Sequence, residues 1–223
     1  MTPRRLLAVG LVASLAGFLA LAWDDVAQGW LYREDFHIDA QVSAWSAAGW
    51  PVHPMGQLFS LPGVGLVDSA AVAVAALWMW RRGERRLAVA CVAAGLAAAV
   101  LVGVLKPAFG RPLPPFIALR FPHGYGFPSG HTLGATATLG TVALLATETR
   151  IRTRRLAGKA ARRAWQWGLS WGVAIAAVTG IARVLAQTHW VSDVLASWCL
   201  GTAVVCATLL AAGVPRPTPY SAP

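Results

Sequence analysis

LAVACVAAGLAAAVLVGVL, residues 87–105, runs from Leu87 to Leu105 without a charged side chain, between Arg85-Arg86 and Lys106. At a helical rise of about 1.5 Å per residue such a run covers the hydrocarbon core of a bilayer. Comparable runs occur at Leu6 to Trp23, about Val64 to Trp80, about Thr132 to Ala146, Ala164 to Ile181 and Val194 to Val214. The pattern predicts an all-α polytopic bundle of six transmembrane helices. The fourth run is short and threonine-rich, which a membrane helix tolerates because a Thr hydroxyl bonds a carbonyl one turn back. Composition agrees, since 57% of the 223 residues are hydrophobic and 13% charged, with a mean hydropathy of +0.56. That excludes an ordinary soluble domain.

The six runs form one domain, residues 1–214, without an internal repeat, and the proline-rich tail 215–223 is expected to be disordered. The first run reads as a signal peptide or an anchor, and the lack of a clear A-x-A cleavage site favours the anchor. Between it and the second run, residues 24–61 carry Trp30, Tyr32, Trp45 and Trp50 among scattered acids, the composition of an interfacial collar or lid. His37 and His53 lie there, and read as satisfied polar residues before they read as ligands. Asp68, near the start of the second run, is either an intramembrane functional acid or an interface residue. Cys91, Cys199 and Cys206 all fall in apolar runs and read as small buried residues, not as a disulfide framework or metal site.

The net charge of +10 would fit a nucleic-acid partner in a soluble protein. Placing the N-terminus inside puts fourteen of the 19 basic residues in cytoplasmic segments, with Arg33, Lys106, Arg111, Arg120 and Arg183 left over. This is the positive-inside bias, and it removes the need for nucleic acid. The basic loop 150–163 needs no role beyond orientation and contact with anionic lipid.

Three polar clusters then fall at helix ends on the opposite, cation-poor face. Lys106 opens Lys106-Pro-Ala-Phe-Gly-Arg111-Pro112; Phe127-Pro128-Ser129-Gly130-His131 opens the fourth helix; Arg183 ends the fifth, with His189 and Asp193 leading into the sixth. Each admits a bland reading: a snorkelling Lys106 or Arg183, a capping His131, an acidic first turn at Asp193. Together they favour a shared anionic ligand. The i, i+4 spacing of His189 and Asp193 lets the carboxylate fix the imidazole tautomer, freeing the other nitrogen as nucleophile. His131 can protonate a leaving oxygen. Lys106, Arg111, Arg183 and the N–H groups around Ser129 and Gly130 can neutralise a phosphoryl group. A metal site is the rival reading of two histidines and an acid, and the surrounding cations oppose it.

These residues resemble the type 2 phosphatidic acid phosphatase superfamily of integral membrane lipid phosphatases. Its motifs are Lys, six residues, Arg-Pro; then Pro-Ser-Gly-His; then Ser-Arg, five residues, His, three residues, Asp. Pro128-Ser129-Gly130-His131 matches the second completely. Arg183, His189 and Asp193 match the third, with Ala182 in place of its serine. The resemblance covers about Leu87 to Val214. It implies that His189 forms a phosphohistidine, Asp193 orients it, His131 donates the proton, and Lys106, Arg111, Ser129, Gly130 and Arg183 bind phosphate. It also implies that no metal and no other cofactor is needed. The departure is Leu113, which stands where the family has its first-motif arginine; Arg111 matches a further arginine often found in bacterial members, and Arg120 is a second substitute for the missing charge.

The expected protein is a multi-pass enzyme of a bacterial-type inner (plasma) membrane with its site on the extracytoplasmic face. It would hydrolyse a lipid phosphomonoester or diphosphate: an isoprenoid diphosphate such as undecaprenyl diphosphate, phosphatidylglycerol phosphate, or phosphatidate, with the isoprenoid favoured. The alternatives are a lipid phosphotransferase using the same site and a non-catalytic lipid-binding or transport protein. Oligomeric state is not legible in the sequence.

Overall fold

The computed structural model describes residues 2–214; the expected disordered tail 215–223 lies outside the described residues. The helices in order are α1 (Pro3–Val26), α2 (Trp30–Ala47), α3 (Val52–Phe59), α4 (Gly65–Arg81), α5 (Arg85–Phe109), α6 (Pro115–Ala118), α7 (Gly130–Gly134), α8 (Gly140–Thr153), α9 (Gly158–Leu185) and α10 (Val191–Ala212). A 3-10 turn, Leu61–Gly63, leads into α4, and a π-helical turn, Ala135–Leu139, joins α7 to α8. Among the described residues there is no strand, only an isolated antiparallel bridge between Pro112 and Tyr125.

Four helices, α1, α5, α9 and α10, are long and apolar enough to cross a membrane. The other two runs expected to span have different geometry. The second forms α4, 17 residues long. The fourth is divided by the π turn, within which the Thr136 hydroxyl donates to the Thr132 carbonyl at 2.7 Å. Such back-bonding competes with the regular ladder, and π turns recur where a helix serves a site.

Small residues set how closely the helices pack, as they do in a bilayer where apolar side chains gain little by leaving lipid. Gly10 and Gly17 lay α1 against Cys206 and Cys199 of α10; Gly201 brings α10 onto Thr136 of the π turn; Gly180 receives Trp198. One buried cluster centres on Met79, Leu87, Leu145 and Leu209, and another on Phe18, Phe127, Leu133 and Leu200. The surface keeps a large apolar belt, with Leu6, Val12, Leu19, Leu96, Val100, Trp171 and Val173 all exposed. Water would penalise that belt, whereas lipid does not.

Residues 24–61 do not lie apart from the bundle. They form the end of α1, then α2 and α3, and reach the start of the 3-10 turn, and Gly56 of α3 sits so close to the end of α9 that an added Cβ would stand 2.6 Å from Ala186 N and 2.7 Å from Ala182 O. The segment is thereby seated against the loop between α9 and α10. That loop carries His189.

Candidate active site

His189 sits in the five residues between α9 and α10. The loop turns sharply at Gln187, whose φ of +50° is a left-handed conformation that a non-glycine residue rarely adopts. The Gln187 amide holds it there, donating from Nε2 to Asp39 Oδ1 at 2.9 Å and to Ser43 Oγ at 2.6 Å on α2. Thr188 closes the turn by donating from its hydroxyl to Arg183 O at 2.9 Å.

The expected histidine–acid pair is formed. His189 Nδ1 lies 3.1 Å from Asp193 Oδ2, and the Trp190 N–H donates to the same oxygen at 3.1 Å. With Nδ1–H donating to a carboxylate, Nε2 is left as the basic nitrogen. Burial above all, then the charges of Arg183 and Lys106, hold the His189 pKa well below its ordinary 6.5. The ring is therefore neutral at neutral pH, the form a nucleophile requires.

The other wall comes from the loop ahead of α7. Ser129 is fully buried and caps the helix, its Oγ accepting from Thr132 Oγ1 at 3.0 Å and from Thr132 N at 3.5 Å. Its own N–H is directed to Asp193 O at 3.4 Å, and Ser197 Oγ donates both to Ser129 O at 3.0 Å and to Asp193 O at 2.7 Å. The two motif segments are thus bonded backbone to backbone. Gly130 and His131 supply the first N–H groups of α7, which have no partner inside a helix. Half-buried His131 lies within electrostatic range of Arg183, His189 and Lys106.

The cations differ in how fully they are engaged. Lys106 Nζ, one turn from the end of α5, donates to the carbonyls of Tyr125 and Gly126. Arg183 donates from one terminal nitrogen to Ser60 Oγ at 3.3 Å, while its buried Nε has no partner among the described residues. Arg111, expected among the phosphate binders, is turned elsewhere. Its Nη2 meets Asp35 Oδ2 at 2.7 Å, its Nη1 meets Asp193 Oδ1 at 3.0 Å and donates to Ser192 Oγ, and its Nε faces Asp25 Oδ1 at 3.0 Å. Tyr32 and Trp190 cover its faces. No nitrogen of Arg111 is left facing open space.

Asp25, Asp35, Ser60 and Ser192 are therefore site neighbours that the motifs did not reveal. Asp35 is 1% exposed and also accepts from Ser192 N at 3.0 Å and from the Ser192 hydroxyl. Burial pushes its carboxyl up, against the lowering effect of Ser192 and Arg111. The available signal was the run of acids in residues 24–39, which charge pairing in a cation-poor segment would have linked to Arg111.

Leu113 is half-buried and packs toward Gly124, offering no charge, and exposed Arg120 lies over the ring of Phe121. His53 stacks on Phe116 with ring centres 4.1 Å apart, and exposed His37 pairs with Glu34 at 3.4 Å. Among the described residues no three His, Cys, Asp or Glu side chains are grouped to hold a metal ion.

Residues 86–215 match the family model of the PAP2 superfamily. The fold is similar to the crystal structure of the first transmembrane PAP2 type phosphatidylglycerolphosphate phosphatase from Bacillus subtilis. The TM-score is 0.72 at 20% identity, over 89% of this chain and 93% of that one. No curated protein sequence matches the chain.

Proposed function

The chain belongs to the PAP2 superfamily, and from that premise we propose that it is a membrane lipid phosphatase acting through a phosphohistidine at His189. The observation that carries the reading is the buried His189 with Nδ1 held by Asp193 at 3.1 Å and with the charges of Lys106 and Arg183 close enough to act on it. Nε2 attacks phosphorus as the bond to the lipid oxygen breaks, and His131 gives that oxygen its proton. The negative charge of a bound phosphate favours the imidazolium that His131 needs for this step. Water then attacks the phosphohistidine, its proton passes to His131, and the P–N bond breaks to release phosphate. Lys106, Arg183 with its unpartnered Nε, and the first N–H groups of α7 would hold the equatorial oxygens. Ser129 would act through the shape of that turn.

In this reading α4 and the α7–α8 segment span with α1, α5, α9 and α10, giving six spans. The positive-inside bias puts the site at the extracytoplasmic face of the plasma membrane. The candidate substrates remain isoprenoid diphosphates, phosphatidylglycerol phosphate and phosphatidate, and the related fold, that of a phosphatidylglycerolphosphate phosphatase, supports the second of them.

Purified protein in detergent, with chelator present, is expected to release phosphate from such lipids. His189→Ala is expected to abolish both the release and the acid-labile, base-stable phosphoprotein. Equal rates in the two proteins, or activity lost on adding chelator, would overturn the mechanism. Leu113 favours a second reading, a lipid-binding or transport protein, because it removes a phosphate-binding charge. Leu113→Arg separates the two: an enzyme gains turnover at low substrate, whereas a binder gains affinity alone. Transfer of the phosphate to a second lipid would instead mark a phosphotransferase.

A further inference from the structure

Asp68 stands in the first turn of α4, 8% exposed, and its Oδ1 is buried without a hydrogen-bond partner among the described residues. An unanswered buried carboxyl oxygen costs stability, so its retention calls for a partner that comes and goes. The space around it is prepared. Asp68, Ser69, His131 and Gly134 line a cavity of about 640 Å³ between α4 and α5, whose apolar lining includes Val92, Leu96 and, beside Gly130, Val102.

Two glycines fix the carboxyl close to His131. A Cβ on Gly63 would collide with the His131 carbonyl, so the turn leading into α4 is locked backbone to backbone on α7. A Cβ on Gly134 would collide with Asp68 Oδ2, so that oxygen occupies the place of a side chain at position 134. Residues 131 and 134 are neighbours on one helix face, with Cβ positions about 5–6 Å apart. The Asp68 carboxyl is therefore roughly that far from the base of the His131 side chain.

His131 is where the reading above places protonation of the leaving lipid oxygen, and this inference rests on that reading. The leaving alcohol then lies beside Asp68 and His131, its hydrocarbon along the apolar lining of the cavity. We propose that Asp68 and this cavity form a subsite for a hydrogen-bond donor, a hydroxyl or an amine, carried by the leaving alcohol within two carbons of the ester oxygen. The preferred substrate is then a hydroxylated or amino lipid phosphate. Isoprenoid diphosphates, which have no such donor, are disfavoured.

The test uses lipid phosphates of identical chain composition in mixed micelles, bearing a hydroxyl, an amine or only hydrogen at the carbon next to the ester. Phosphate release by the full chain is expected to favour a donor-bearing lipid by several-fold to about tenfold in kcat/KM, the scale of a single hydrogen bond. The hydroxyl and amine arms identify which donor is taken. In Asp68→Leu the ratio is expected to fall to about one, with Asp68→Asn between; each ratio is internal to one preparation, so partial misfolding cancels. A wild-type ratio near one, or a wild-type ratio retained in both variants, overturns the subsite and leaves the phosphatase reading intact. Failure of every lipid to yield phosphate overturns that reading instead. Equilibrium binding of the same three lipids to wild type and Asp68→Asn then decides the subsite alone: tighter binding of a donor-bearing lipid to wild type supports it, and equal binding sinks it.

Discussion

Asp35 and Asp68 are both buried aspartates on helices that reach the same site, 1% and 8% exposed, yet their surroundings are opposite. Asp35 is saturated. It takes the Arg111 guanidinium, the Ser192 hydroxyl and the Ser192 N–H, and through Arg111 it is tied to Asp25 and Asp193. Asp68 has a cavity in front of it and an oxygen without a partner. A charge whose partners are all protein groups positions other residues, because nothing is left over for a ligand. A carboxyl without protein partners at the edge of a shaped cavity is available to one. The site thus has a closed wall behind His189 and an open wall beside His131.

His189 faces both walls, so the largest effect is expected there. If the proposed phosphohistidine forms at His189, His189→Ala should lower phosphate release by about 10⁴-fold or more. Unfolding of the same variant in detergent should change far less, because Arg111, Asp25 and Asp35 keep one another as partners. If His189→Ala unfolds the protein, the closed wall depends on the imidazole and the division between the walls fails.

The closed wall itself is next. Arg111→Met leaves Asp25, Asp35 and Asp193 facing one another without a cation, and removing one partner of a buried ion pair costs about 3–5 kcal/mol. Thermal or denaturant unfolding of the purified variant measures this. An unfolding midpoint equal to wild type would show that Arg111 is not the centre of that wall.

The sequence made the two walls unequally legible. Lys106, His131, Arg183, His189 and Asp193 could be read because each ends or begins an apolar run, where a charge stands out and topology states which face it reaches. Their ordering also carries the motif spacing. Asp35 could not be read so: it lies in an amphipathic, aromatic segment with no spanning period, and its partners Arg111 and Ser192 are 76 and 157 residues away. A sequence displays the charge of Arg111 without displaying which way the guanidinium turns. For the same reason the fourth apolar run was visible as a helix, while its π turn, where the Thr136 hydroxyl bonds the Thr132 carbonyl and Gly201 packs on Thr136, was not. Asp68 was ambiguous because an acid one turn into a helix can equally mark an interface.

A smaller effect separates the cations that face outward from Arg111. Arg183 is the largest charge contribution holding down the His189 pKa, after burial. In wild type the imidazole stays neutral as pH falls through 6.5, so the acid limb of kcat/KM is expected below that value. Arg183→Met removes a repelling charge, protonation becomes easier, and the acid limb should move upward toward 6.5 while burial keeps it from arriving there. A limb that stays in place would mean that Arg183 acts on substrate alone.

The smallest effect is on the stability of the open wall, and its sign distinguishes the two aspartates most sharply. Replacing a carboxyl whose hydrogen-bond partners are protein groups strands those partners, whereas replacing an unsatisfied one strands nothing and removes a desolvation cost. Asp35→Leu should therefore destabilise the fold by a few kcal/mol. Asp68→Leu should be neutral or stabilising by about 1 kcal/mol, since the larger Leu side chain can extend into the cavity that Val72 and Val102 also line. Parallel unfolding of the two variants in one detergent, without lipid substrate, measures the difference. Adding a hydroxyl-bearing lipid phosphate should then raise the midpoint of wild type more than that of Asp68→Leu, because a ligand stabilises the state that binds it better. If Asp68→Leu costs as much as Asp35→Leu, the Asp68 carboxyl has a structural partner and its wall is closed as well.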